Sequence, residues 1–146
     1  VQGRSRDLSS LRHLLSGGAV LSPSLKAELC RLLPGITIVD VLGSTESGRQ
    51  AVARSDATTP ASSSFEPSPT ATVLSEDLGR RLEPGDDELG WLAQTGRVPL
   101  GYLGDPERTE RTFPLVQGVR HAVPGDRAKL LADGRIELLG RDSVCI

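Results

Sequence analysis

Ile36-Thr37-Ile38-Val39-Asp40-Val41-Leu42-Gly43-Ser44-Thr45-Glu46 is the stretch on which the reading of this chain turns. Ile36 to Leu42 is β-branched and nearly continuous in apolarity, the pattern of a strand covered on both faces; a strand wet on one side would alternate. Gly43 to Glu46 then form a small-residue turn with two hydroxyls and one carboxylate. Backbone amides and hydroxyls in such a turn can hold phosphate oxygens, and the carboxylate can hold the accompanying divalent cation.

Upstream, Ser22-Pro23 reads as a helix start, with Ser as N-cap and Pro in the first turn. Leu25, Leu29, Leu32 and Leu33 follow as one apolar stripe, and Pro34-Gly35 ends the helix. Before it, the short apolar run Leu11 to Leu15 is closed by Ser16-Gly17-Gly18-Ala19. Strand, helix and strand within about thirty residues make a βαβ unit, which predicts parallel strands and a right-handed crossover. Gly17-Gly18-Ala19 and Gly43-Ser44-Thr45-Glu46 would then leave the same edge of the sheet, the carboxyl edge where open α/β sheets bind ligands.

Downstream, from Ser55 to Thr72, the composition turns to Ser, Thr, Pro and Ala, with Phe65 the only large apolar residue. That predicts a solvated connection over 55–71 between two units, 1–54 and 72–139. The second unit is β-rich. Thr72-Val73-Leu74 and Leu89-Gly90-Trp91-Leu92-Ala93 are strand candidates around the turn Glu83-Pro84-Gly85-Asp86. Asp105-Pro106-Glu107 opens a short helix to about Thr112, with a cap, a first-turn proline and an acidic first turn. Lys129-Leu130-Leu131 and Arg135 to Leu139 flank Asp133-Gly134, a hairpin signal. The fold class predicted is therefore α/β plus β: a βαβ piece of an α/β sheet, then a small twisted antiparallel sheet or distorted barrel, with Trp91 anchoring its core.

Composition narrows the function classes. A chain of 146 residues is one domain or pieces of two. With 37% hydrophobic but only 3% aromatic residues, the core must be built from Leu, Val, Ile and Ala. A formal net charge of -2 gives no basic surface for nucleic acid or an anionic membrane. No signal peptide is visible, and no apolar stretch approaches the roughly 20 residues of a membrane span. Cys30 and Cys145 are too few and too separated for a metal quartet or a disulfide framework, and read as reduced thiols of a cytoplasmic protein. The chain opens on Val1, holds no Met, and stops at Ile146 straight after a Gly-Arg-Asp turn, so it is expected to be a piece of something longer.

Taken in order, Ser16-Gly17-Gly18-Ala19-Val20-Leu21, Gly43-Ser44-Thr45-Glu46, Gly101-Tyr102-Leu103-Gly104-Asp105-Pro106, Pro124-Gly125-Asp126 and Gly140-Arg141-Asp142-Ser143-Val144-Cys145-Ile146 form a series. It resembles the adenylate-forming (AMP-binding) superfamily of acyl-CoA synthetases, aryl-CoA ligases, peptide-synthetase adenylation domains and beetle luciferases. Within it, the ending Gly-Arg-x-Ser-Val-Cys-Ile is similar to fatty-acyl-CoA synthetases of actinobacterial type. The resemblance runs from about Asp7 to Ile146. It implies an ATP-dependent ligase that activates a carboxylic acid of the fatty class as acyl-AMP and passes it to coenzyme A, with ATP and Mg²⁺ as further requirements.

On that resemblance, Gly17, Gly18 and Ala19 would line the adenine and acyl pocket, and Asp40, Val41 and Leu42 would pass the adenine with main-chain atoms. Thr45, with Ser44 and the Gly43 turn, would bind the α-phosphate, and Glu46 would hold Mg²⁺; Thr45 and Glu46 are the catalytic assignments. Asp126 would accept hydrogen bonds from the ribose hydroxyls. Arg141 would reach ribose or phosphate, at the start of an interdomain hinge over 140–146. Two positions depart from the family pattern. Leu42 stands where an aromatic residue often stacks on adenine, and Ser143 stands at a hinge position commonly Asp or Lys. The family's Pro-Lys-Gly phosphate loop would lie before Val1 and its catalytic Lys domain after Ile146, so the 146-residue chain alone is expected neither to adenylate nor to form thioesters.

Each residue taken singly has a plainer reading. Gly17-Gly18 serves as a strand-to-helix turn, Glu46 as a solvated carboxylate or cap, and Asp126 as a turn residue bonding its own backbone. Arg141 serves as a surface charge, and His13 and His121, without a partner pattern, as structural or surface residues. Two rival functions also stand: a non-catalytic nucleotide-binding module, and an adenylation domain loading a carrier protein.

Overall fold

The computed structural model of the chain describes residues 7–19, 21–59 and 62–141. In chain order the first elements are β1 (His13–Gly17), α1 (Pro23–Leu32), β2 (Thr37–Ser44), β3 (Gly48–Ser55), β4 (Ser64–Pro67) and β5 (Ala71–Leu74). They are followed by β6 (Leu89–Gln94), α2 (Pro106–Thr112), β7 (Leu115–Val116), β8 (Val119–Arg120), β9 (Asp126–Leu130) and β10 (Ile136–Arg141). Eight strands form one mixed sheet in the linear order β1-β2-β3-β4-β10-β9-β6-β5, with β7 and β8 paired apart.

The expected βαβ unit is present. β1 and β2 are parallel, with His13 opposite Thr37 and Gly17 opposite Val41. Ser22 caps α1, its Oγ accepting from the Leu25 amide at 3.2 Å, and Pro23 occupies the first turn. The buried face of α1 differs from the predicted leucine stripe. Leu29 and Leu33 pack with Cys30 against Ile36 and Ile38, but Leu25 and Leu32 are exposed. In their place Lys26 is fully buried. Its Nζ pairs with Asp40 of β2 and donates to the Ser62 carbonyl at 3.1 Å. The inward set is Lys26, Leu29, Cys30 and Leu33, a helical i, i+3, i+4, i+7 face that a count of apolar residues misses because it contains a charge.

β2 turns back into β3, to which the sequence pattern assigned no element. The two are antiparallel, Val41 opposite Val52, with a bulge between Leu42 and Gly43. β3 then pairs with β4, and β4 with β10, where Phe65 lies opposite Ile136. The segment 55–71 is therefore not simply a solvated connection. It carries a strand at the centre of the sheet, because Phe65, 1% exposed, supplies the one large ring to a core otherwise built from aliphatic side chains. That core draws Leu42, Ala51 and Ala53 from the first half and Val73, Leu92, Ala128 and Ile136 from the second, so one cluster spans both.

The antiparallel second half, expected as a small distorted barrel, continues this same open sheet. β5 with β6, and β9 with β10, form where the pattern placed them, the latter around Gly134 at a φ of 80°. Trp91 is half-buried, packed against the cluster of Leu74, Ala93, Val116 and Val123 from outside it, where the sequence predicts a core anchor. Its indole N–H donates to the Glu76 carbonyl at 3.1 Å, and the Arg127 guanidinium lies 4.1 Å from its ring centroid. Gly140 and Arg141 complete β10; Asp142 to Ile146, including Cys145 and the rest of the hinge motif, lie outside the described residues. Cys30 is buried with a free thiol. Among the described residues no helix is long and apolar enough to cross a membrane.

Candidate functional site

The bulge at Leu42/Gly43 shifts the β2–β3 register just before the turn, and the ladder resumes with Gly43 opposite Arg49 and Ser44 opposite Gly48. A Cβ on Gly43 would sit 2.2 Å from the Gly48 carbonyl oxygen, so only a glycine allows the two strands to approach there. The turn itself is braced by its serines. The Ser44 amide donates to Ser47 Oγ and the Ser47 amide to Ser44 Oγ, both at 3.2 Å, with the two hydroxyls 2.9 Å apart. The Ser44 hydroxyl thus has a structural role in the turn, and exposed Thr45 is the turn's outward hydroxyl.

Around this turn is a cleft of about 520 Å³. Gly18 and Ala19 from the end of β1, Asp40 to Glu46 from β2 and its turn, Asp126 from β9, and Gly140 and Arg141 from β10 all line it. Stretches more than eighty residues apart in sequence meet because β4 joins the two halves of the sheet. Gly17 does not line the cleft; it is the last residue of β1 paired to β2, held opposite Val41. The cleft also takes in Phe65, Arg108, Pro124 and Leu138, none of which the sequence assigned to it.

Charge is arranged in opposed pairs. Buried Asp126 faces Arg141, whose Nε lies 3.0 Å from Oδ1. Burial nevertheless holds the Asp126 carboxyl above the usual carboxylate range; Arg141 pulls it down and the Glu46 charge adds to the rise. Glu46 behaves in the opposite way. The Tyr102 hydroxyl donates to its Oε1 at 2.6 Å, and this bond is the first cause of a carboxyl held below its usual range. Arg108 adds a weaker pull from 3.9 Å. Tyr102 is correspondingly raised, first by burial and then by the bond to Glu46. The only advance signal for Tyr102 is its place in the Gly101-to-Pro106 motif; for Arg108 the sequence gives none.

The donor set fits a metal in one way. Among the described residues no three His, Cys, Asp or Glu side chains gather to hold an ion. A single carboxylate, Glu46, suits Mg²⁺ when phosphate and water oxygens complete an octahedral shell, the usual manner of magnesium bound with a nucleotide.

Comparison with known proteins gives matches across the chain. It is 51% identical over 140 residues to the medium-chain acyl-CoA ligase Mig of Mycobacterium avium, covering 96% of this chain and 26% of that protein. It is 40% identical over 146 residues to the 3-oxocholest-4-en-26-oate–CoA ligase of Rhodococcus rhodochrous, covering 99% of this chain and 26% of the ligase. Among solved structures, the nonribosomal peptide synthetase FmoA3 bound to α-methyl-L-serine-AMP superposes with a TM-score of 0.77 at 31% identity, covering 96% of this chain and 17% of that one. The chain spans about a quarter of the length of the curated relatives it matches. No family model matches it.

Proposed function

Because the chain belongs to the adenylate-forming superfamily, in its acyl-CoA ligase branch, we propose that it supplies the nucleotide-gripping part of an ATP-dependent acid–thiol ligase. In that reaction a carboxylate attacks the α-phosphorus of ATP, giving an acyl-adenylate and pyrophosphate. The coenzyme A thiol then displaces AMP to form the thioester. One observation carries the reading: Gly18, Ala19, the Asp40–Glu46 stretch, Asp126 and Arg141 line a single cleft.

Each side chain has a task in it. Gly18 and Ala19, with no bulk, let adenine and acyl group approach the backbone. The main chain of Asp40 to Leu42 flanks the adenine, with Leu42 and Phe65 giving it apolar contact. Thr45 donates to the α-phosphate and Gly43 sets the turn that aims it, while Ser44 braces that turn. Asp126 accepts from the ribose hydroxyls, and Arg141 both orients Asp126 and meets phosphate or ribose oxygen. Glu46 holds Mg²⁺, which supplies charge neutralisation at the phosphates. On this reading 1–54 carries the loops, 72–139 the β subdomain and 140–146 the start of the hinge. Names of the relatives favour a fatty or other hydrophobic acid, and ATP, coenzyme A and a free thiol at Cys30 fit a cytoplasmic setting.

The test is acid-dependent ATP–pyrophosphate exchange by the full-length protein over a panel of fatty, steroid-side-chain and amino acids, followed by thioester formation with coenzyme A. Exchange with a hydrophobic acid and a coenzyme A product supports the proposal. Exchange confined to an amino acid, with transfer only to a carrier protein, would replace it with the peptide-synthetase reading. Absence of nucleotide binding would remove both.

A further inference from the structure

Glu46 stands at the tip of a hairpin turn, and its position depends on a unit 56 residues further along the chain. Residues 101–113 fold around Tyr102. The Tyr102 amide donates to Thr109 Oγ1 at 2.8 Å, and that hydroxyl donates to the Asp105 carbonyl at 2.7 Å. Gly101 permits it: a Cβ there would sit 2.4 Å from Thr109 Cγ2. The Tyr102 ring meets buried Phe113 at a centroid distance of 5.6 Å, and the Arg108 guanidinium lies 4.0 Å from its centroid. The strand bridge, the helix start and the two ring contacts together leave the phenol little freedom, and its one polar atom points at Glu46 Oε1.

We infer that Tyr102 is a positioning residue for the cation-binding carboxylate, fixing Oε1 of Glu46 so that Oε2 is presented to a nucleotide-bound divalent ion. The inference rests on the site reading above. A glutamate on an exposed turn samples several rotamers, and a partner that holds one oxygen selects among them before the ion arrives. The Tyr102 hydrogen bond and the Arg108 ion pair both fall on Oε1. The charged groups facing Glu46 are Arg108 from α2 and Asp126 from β9; neither has the directed, short bond that the phenol makes.

The experiment uses Tyr102→Phe, which removes the hydroxyl and keeps the ring against Phe113 and Arg108. Carboxyl ¹³C NMR, with Glu46→Gln assigning the resonance, follows Glu46 titration; electron paramagnetic resonance follows Mn²⁺ binding in the presence of ATP. The expected result is a Glu46 titration moved up toward the ordinary range and Mn²⁺–ATP affinity about tenfold weaker. The double variant should bind no more weakly than Glu46→Gln alone, since the two side chains act as one unit. A third measurement leaves the fold untouched. With 3-fluorotyrosine in the full-length protein, the ¹⁹F resonance that disappears in Tyr102→Phe belongs to Tyr102, and it should follow the Glu46 titration and lose that response in Glu46→Gln. An unmoved Glu46 titration in Tyr102→Phe overturns the inference, as does a silent ¹⁹F resonance. If Glu46→Gln weakens Mn²⁺–ATP binding and Tyr102→Phe does not, the inference alone falls. If Glu46→Gln leaves that binding unchanged, the site reading falls and the inference with it.

Discussion

Replacing Lys26 by Met should destabilise the chain far more than any exposed charge change, and should weaken nucleotide binding as well. Lys26 is fully buried and Asp40 is 3% exposed, so the ammonium is the carboxylate's counter-charge in a place water does not reach. Met keeps the length of the stem, so packing of α1 against Ile36 and Ile38 survives and the loss isolates the charge. Stranding one member of a buried pair costs about 3–5 kcal/mol, a large part of the roughly 5–15 kcal/mol that holds an ordinary domain together. The Ser62 carbonyl, 3.1 Å from Nζ, loses its donor too. Asp40 also lines the cleft, so the variant leaves unbalanced negative charge beside the proposed adenine site of an anionic nucleotide. Urea denaturation followed by circular dichroism, on the wild type, Lys26→Met, Asp40→Asn and the double variant, gives the coupling between the pair. The double variant should recover much of the loss, because no charge is then buried alone. A Lys26→Met variant within about 1 kcal/mol of wild type, or a double variant whose losses simply add, would refute the reasoning.

Other perturbations follow from the same geometry. Thr45→Ala should weaken AMP binding by about 2 kcal/mol, the worth of one hydrogen bond to a charged group, without changing the denaturation midpoint; titration calorimetry checks the affinity and urea denaturation the midpoint. Gly43→Ala must place a Cβ 2.2 Å from the Gly48 carbonyl oxygen, so it should cost about 1–3 kcal/mol in urea denaturation and misplace the whole turn. Asp126 has its folded carboxyl raised, chiefly by burial. Its stability contribution is therefore present below the unfolded value and lost as pH rises through the folded one, and Asp126→Asn should flatten that loss in a denaturation series over pH. AMP binding runs the other way: it needs the ionised acceptor, should fade as pH falls through the raised value, and should be weak at every pH in Asp126→Asn.

Much of the first half of the fold was legible because its signals are local. Ser22-Pro23 and Pro34-Gly35 bracket α1, and the β-branched run to Leu42 marks a strand, although in β2 only the alternate residues Ile38, Asp40 and Leu42 are fully buried. The parallel pairing of β1 and β2 then follows from the crossover rule, and with it the shared edge of two glycine loops. What escaped were features set by distant partners. Lys26 reads as a surface residue until Asp40 faces it, and β3, with Arg49, Gln50 and Arg54, lacks any apolar alternation. β4 has four residues in a Ser- and Pro-rich stretch and exists because β3 and β10 flank it. In the cleft, the ordered motifs located most of the lining, but Arg108 and Tyr102 gain meaning only through contact with Glu46.

β4 also decides how the cleft keeps its width. One wall, Asp40 to Glu46, hangs on the β2–β3 hairpin; the other, Asp126 with Gly140 and Arg141, hangs on β9 and β10. Among the described strands, β4 is the one that pairs with both, through two residue pairs to β3 and two to β10. A flexible connection over 55–71 would let the walls drift, and a ribose held by Asp126 would then lose its register with a phosphate held at Thr45. The pairing forbids that drift unless β4 leaves the sheet. Leaving would take Phe65 out of a core that both halves share, where a lost large side chain costs about 3–5 kcal/mol. The separation between Asp126 and Thr45, the proposed sugar and phosphate partners, is therefore set by the sheet itself, with Phe65 both a core residue and part of the cleft lining.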